Sequence, residues 1–119
     1  MITMILAFKT MDEKRIDPAR LEKRPIVDPA EQESFYITLK DAIKREWLVR
    51  IRYFLEADLN QLVLAPFEYP EIYQGMGQIE KLDVVPLEMD IVTQEILFKD
   101  VFGTIYPIQF SDLVDIELL

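Results

Sequence analysis

The stretch GTIYPIQFSDLVDIELL, residues 103–119, decides the fold. Ile108 and Phe110 alternate with Gln109 as a half-buried strand does, Ser111 and Asp112 interrupt, and Leu113, Val114, Ile116 and Leu118 resume an apolar pattern. A strand that turns once and runs on can cross between two faces of a small sheet and close it. Ile108, Phe110, Leu113 and Ile116 are therefore expected to face one core. Asp112, Asp115 and Glu117 fall at the turn and on the surface.

Working outward from this stretch, Asp100 to Gly103 reads as a turn, preceded by a strand formed by Ile91-Val92 and Glu95–Lys99 with Phe98 in the core. Earlier, Ile72 to Asp83 carries two glycines two residues apart, with neither the basic residue nor the helix start that a phosphate loop needs. Glycine inside a strand instead allows a sharp bend, as at the corner of a small barrel, with Ile79 pointing inward. Val84 to Met89, interrupted by Pro86, reads as a connection with a short strand. Gln61 to Leu64 suits another short strand, and Pro66 and Pro70 exclude a central strand after it. Val49, Ile51 and Tyr53 alternate with Arg50 and Arg52, which places Ile51 in the core and both arginines on one face, about 7 Å apart.

Ahead of that strand the helix signals are strong. Asp28 suits the cap, Pro29 the first helical position and Glu31 the answering position of a capping box. Phe35, Leu39, Ala42, Ile43 and Trp47 then follow as one apolar face, so a helix is expected over 29–45. The architecture is α+β: an N-terminal arm, one amphipathic helix, then about five short antiparallel strands.

At 119 residues the chain has the length of one domain, which we place at 25–119 behind an arm at 1–24. The charge is lopsided. Between Lys9 and Arg24 stand six basic and four acidic residues, whereas 25–119 holds seven basic and eighteen acidic ones. The arm can fold back on the acidic body, reach a partner, or remain a solvated linker; Met1 to Phe8 reads as an edge strand, a docking segment or a loose terminus. A net charge of −9 opposes sequence-independent binding to nucleic acid or to an anionic membrane. The apolar start lacks a basic leader and falls short of the ~20 residues of a membrane span. We expect a cytoplasmic protein.

With no cysteine and no histidine, the chain has no thiolate, no cysteine-ligated zinc and no imidazole base. Ser34 and Ser111 thus lack the usual activating partner. Carboxylates at Glu68, Glu71, Glu88, Asp90, Asp112, Asp115 and Glu117 match no known metal-loop spacing. No catalytic, cofactor or metal residue is assigned. Arg50, Arg52 and Tyr53 are the candidate anion or interaction contacts, with pairing of the arginines to nearby acids as the alternative.

Gly77-Gln-Ile-Glu-Lys-Leu-Asp83, followed by Ile108-Gln-Phe-Ser-Asp-Leu-Val-Asp-Ile-Glu117 and preceded by a proline-led helix and the strand ending Tyr53-Phe54, resembles the YolD-like family of small bacterial and phage proteins. The resemblance covers 25–119. It lacks the family's N-terminal Arg-Gly-x-x-Lys-Trp-x-Pro segment, and the span from Glu56 to Met76 is longer than the family pattern. It implies a small, strongly bent Sm- or SH3-like barrel with a helix packed on it. It also implies a non-enzymatic, protein-binding role in the DNA-damage response, with a translesion polymerase of the UmuC type as partner, homo-oligomerisation being left open. Two other readings stand beside it: an acidic phage-type regulator that mimics nucleic acid, and a ligand-sensing barrel similar to WYL domains in which Arg50, Arg52 and Tyr53 line an anion site.

Overall fold

The computed structural model describes residues 15–119, so the expectations for Met1 to Phe8 lie outside the described residues. The described residues divide into two compact units: one joins 15–24 with Glu56–Gln78, and the other joins Pro25–Leu55 with Ile79–Leu119. The strands are β1 (Glu22–Lys23), β2 (Val49–Glu56), β3 (Met76–Met89), β4 (Glu95–Lys99), β5 (Ile105–Gln109) and β6 (Leu113–Leu118); the helix is α1 (Pro29–Arg45).

In the second unit α1 begins as its sequence dictates. The Asp28 carboxylate accepts the Glu31 N–H at 2.8 Å, and Pro29 occupies a position that has no donor to lose. The helix ends at Glu46, in the left-handed region at φ 56°, and the Trp47 N–H reaches back to the Ala42 carbonyl at 3.0 Å. Phe35, Leu39 and Ala42 form its buried stripe. The reversal at Glu46 takes Trp47 out of that stripe. Expected in the core, Trp47 is 39% exposed, with the Arg45 guanidinium 4.8 Å from its ring centre.

The fold is α+β, with six antiparallel strands in the order β5-β4-β3-β2-β6 and β1 added to β3. The sheet is open rather than a closed barrel. β5 and β6 are joined by a 3-10 turn, Phe110–Asp112, yet pair with β4 and β2 at opposite ends of the order. β5 also contains Pro107, which has no N–H to give a further strand. Phe110, expected on a core strand, lies in that 3-10 turn and is half-buried.

β3 runs through fourteen residues, including Pro86, where a short connection was expected. A bulge between Pro86 and Glu88 accommodates the proline, a position where a ladder N–H is dispensable. A second bulge, between Arg52 and Tyr53, breaks the alternation of β2, so that Phe54 is buried and Tyr53 only half so. The core takes Phe35 and Leu39 from α1, Ile51, Phe98, Ile108, Leu113 and Ile116 from the strands, and also Val49, Val84 and Ile96; Tyr53 and Phe110 pack at its margin. Ile43 and Ile79, expected inside, are half-buried.

Ile91 and Val92 do not belong to β4. They sit in the β3–β4 turn, where the Asp90 carboxylate accepts the N–H groups of Val92 at 2.8 Å and Thr93 at 3.2 Å. A side chain that takes two consecutive backbone donors converts a β-branched pair into a turn. Asp100 does the same in the β4–β5 turn, accepting from Phe102 and Thr104 at 2.9 Å each, and Gly103 at φ 84° closes it.

In the first unit residues 15–24 are paired rather than a solvated linker. Ile16 forms a parallel bridge with Leu62, through Ile16 N–H to the Gln61 carbonyl at 2.8 Å and Val63 N–H to the Ile16 carbonyl at 3.0 Å. Glu22 and Lys23 pair with Gly77 and Met76. Gln61 to Leu64 makes no strand of its own: Leu59–Gln61 is a 3-10 turn and Leu62 supplies only the bridge.

Candidate interaction surface

The charged face expected on β2 is present, but Arg50 is held by protein carboxylates. Arg50 grips Asp83 on β3 through two hydrogen bonds, Nε to Oδ1 at 2.7 Å and Nη2 to Oδ2 at 3.0 Å, and its Nη1 lies 3.9 Å from Glu117 on β6. This fork-on-carboxylate geometry is the strong form of an ion pair. The hydrogen bond from Arg50, with its charge and that of Lys81, outweighs desolvation and holds the Asp83 carboxyl below the ordinary range. In register, Arg50 stands opposite Glu117 and Arg52 opposite Asp115, so the acidic row of β6 faces a basic row on β2. Tyr53, the third candidate contact, packs against the core; burial raises its pKa, and the charge of Glu80 raises it further. A phenol beside a carboxylate is a poor anion contact. The structure therefore does not bring Arg50, Arg52 and Tyr53 together as an open anion site.

Glu68, Asp90 and Asp100 hold turns. Glu68 accepts the Ala65 N–H at 2.8 Å and the Tyr73 hydroxyl at 2.6 Å, and these bonds lower its pKa. Burial pushes the Asp100 carboxyl up, but the N–H groups of Thr104 and Phe102 and the Tyr106 hydroxyl bring it below the ordinary value. Among the described residues no charged side chain is buried, and no three carboxylates are grouped to hold a metal ion.

What stands open is apolar. Within the second unit a groove runs between one flank of α1 and the β3–β4 turn. Its first part, about 270 Å³, is lined by Gln32, Glu33, Tyr36, Met89, Ile91, Gln94 and Phe110. A second part, about 460 Å³, shares Tyr36, Met89 and Ile91 and adds Lys40, Ile43, Lys44 and Glu88. Ile91 is 79% exposed at its edge and Val92 91%. At the other end of β4 the Asp100 turn presents Val101 and Phe102, 79% and 89% exposed. The groove with Ile91 and Val92, and separately the Val101–Phe102 turn, present apolar side chains fixed on hydrogen-bonded turns, of the kind that marks a protein contact.

Sequence pattern did not mark these residues as a surface: Ile43 and Phe110 were expected in the core and Ile91 in a strand. The available signal was Tyr36, an aromatic one step off the Phe35–Leu39–Ala42 stripe, which a helix with a single buried face does not require. Among the described residues no helix is long and apolar enough to cross a membrane. No protein-family model, curated protein or solved structure matches the chain.

Proposed function

We propose that this is a non-enzymatic, cytoplasmic protein-interaction module, built on a small bent sheet of the Sm or SH3 type in the manner of the YolD-like family. The observation that carries the reading is the disposition of open apolar surface at both ends of β4: the groove along α1 with the Ile91–Val92 turn, and the Val101–Phe102 turn. Two bulges that bend β2 and β3, and a helix packed against β6, support the bent-sheet assignment. By the same resemblance the partner is a translesion polymerase of the UmuC type.

Charge supports a module over a nucleic-acid mimic. A mimic needs carboxylates in uncompensated rows at about phosphate spacing, ~7 Å along a strand. On β6 the row of Asp115 and Glu117 lies opposite Arg52 and Arg50. The ligand-sensing alternative needs Arg50 for an anion, and Asp83 already occupies it. The test is capture with the purified chain from its host cells, with and without DNA damage, beside a Phe102→Asp variant. A UmuC-type polymerase retained by the parent chain and lost by the variant is expected; enrichment of no protein under either condition would overturn the reading.

A further inference from the structure

The groove along α1 is complementary to itself. Its helical flank carries Gln32 and Glu33 at one end, Tyr36 and Lys40 in the middle, and Ile43 and Lys44 at the other end. From Gln32 to Lys44 this flank is about 18 Å long at ~1.5 Å per residue. The order of charge along it is what a twofold axis requires. Two copies crossing antiparallel at Tyr36 and Lys40 place Glu33 of each beside Lys44 of the other, since an isologous contact makes every pairing twice. A parallel crossing would set Glu33 against Glu33 and Lys44 against Lys44.

Shape agrees with charge. Val92 projects from the turn that walls the groove, held by the Asp90 carboxylate, and is 91% exposed. A second copy seated on the groove would cover Ile91, which lines it, together with the neighbouring Val92. The net charge of −9 opposes self-association in general, and along this groove Lys40 and Lys44 offset Glu33 and Glu88.

We infer that the groove joins two copies of this chain, with their α1 helices antiparallel across a twofold axis. The inference rests on the reading that the groove is a protein-binding surface and names its occupant. The Val101–Phe102 turn, at the far end of β4, stays open for a different partner.

The test is the solution mass of the full chain by sedimentation equilibrium. A species of twice the 14.0 kDa chain mass is expected. Val92→Asp abolishes it. Glu33→Lys and Lys44→Glu each raise the dissociation constant about tenfold or more, and the double variant restores it. All three side chains are exposed, and circular dichroism checks that each variant remains folded. A second measurement does not depend on disruption: the chain has no cysteine, so Lys40→Cys, close to the axis, should yield a disulfide-linked dimer that Lys99→Cys does not. A chain that is monomeric at its highest soluble concentration, a dimer unmoved by Val92→Asp, or a double variant that stays dissociated overturns the inference. A monomer that still captures a partner through Phe102 ends the dimer and leaves the interaction module standing.

Discussion

Asp83 stands across the sheet from Arg50 and gives both carboxylate oxygens to one guanidinium. Because its pKa is held below the ordinary 3.8, the folded state binds this proton less readily than the unfolded chain does. The pair's contribution to stability is therefore complete above the ordinary carboxylate range and is lost as the pH falls through the depressed native value. Asp83→Asn should lower the midpoint of thermal unfolding at pH 7, and the gap between variant and parent should narrow progressively as the pH is taken below about 4. Midpoints that run parallel over that interval would mean that the ion pair contributes nothing. At this scale sequence reading found the charged face and left its partner open, because Arg50 and Asp83 are 33 positions apart. Pairing across a sheet depends on register, which no local pattern encodes. Phe110 and Trp47 were misplaced for a related reason: each stands just beyond an element's end, Phe110 one residue after β5 and Trp47 two after α1, where the change of backbone direction redirects the side chain.

The two ends of α1 differ in how well they suit their residues. Asp28, Pro29 and Glu31 fill the start with the chemistry it needs, and the start was legible for that reason. The end places Glu46 at φ 56° and ψ 42°, a conformation that costs an ordinary L-residue roughly 1–2 kcal/mol. Glycine avoids that penalty but loses more freedom on folding, roughly 0.5–1 kcal/mol. Glu46→Gly should therefore be neutral to stabilising by up to about 1 kcal/mol, read as the urea midpoint at unchanged slope. A clear loss of stability would show that the Glu46 side chain makes a contact that outweighs its strain. The strands were less legible than the helix. Glycines, Pro86 and the Ile91–Val92 pair were read by their usual meanings. A bulge lets β3 run through Pro86, and the Asp90 carboxylate takes the N–H groups that would otherwise have kept Ile91 and Val92 extended.

For the whole chain, the order of one helix and then strands was legible. What escaped was the company kept by Glu56–Gln78, which forms a compact unit with residues 15–24. The length of that span was anomalous for the family pattern, but its pairing rests on Ile16 with Leu62 and on Glu22 and Lys23 with Gly77 and Met76, residues that no local pattern distinguishes. The two units also differ in what holds them. Nearly all the buried apolar side chains, from Phe35 to Ile116, belong to the second; the first buries only Leu21 among the described hydrophobic residues. At roughly 25 cal/mol per Å² of apolar surface removed from water, a unit with one buried side chain opens far more cheaply than one with a continuous core. Native-state hydrogen exchange should therefore show the Ile16 and Val63 amides, though hydrogen-bonded, exchanging through local openings at free energies well below those that release β2 and β4. Added urea should leave the exchange of Ile16 and Val63 nearly unchanged while it accelerates the strand amides, because only the larger opening exposes much surface. If all of these amides instead exchanged at one free energy with one urea dependence, the two units would unfold as a single cooperative body, and the hydrogen bonds around Ile16 would be as well protected as the core.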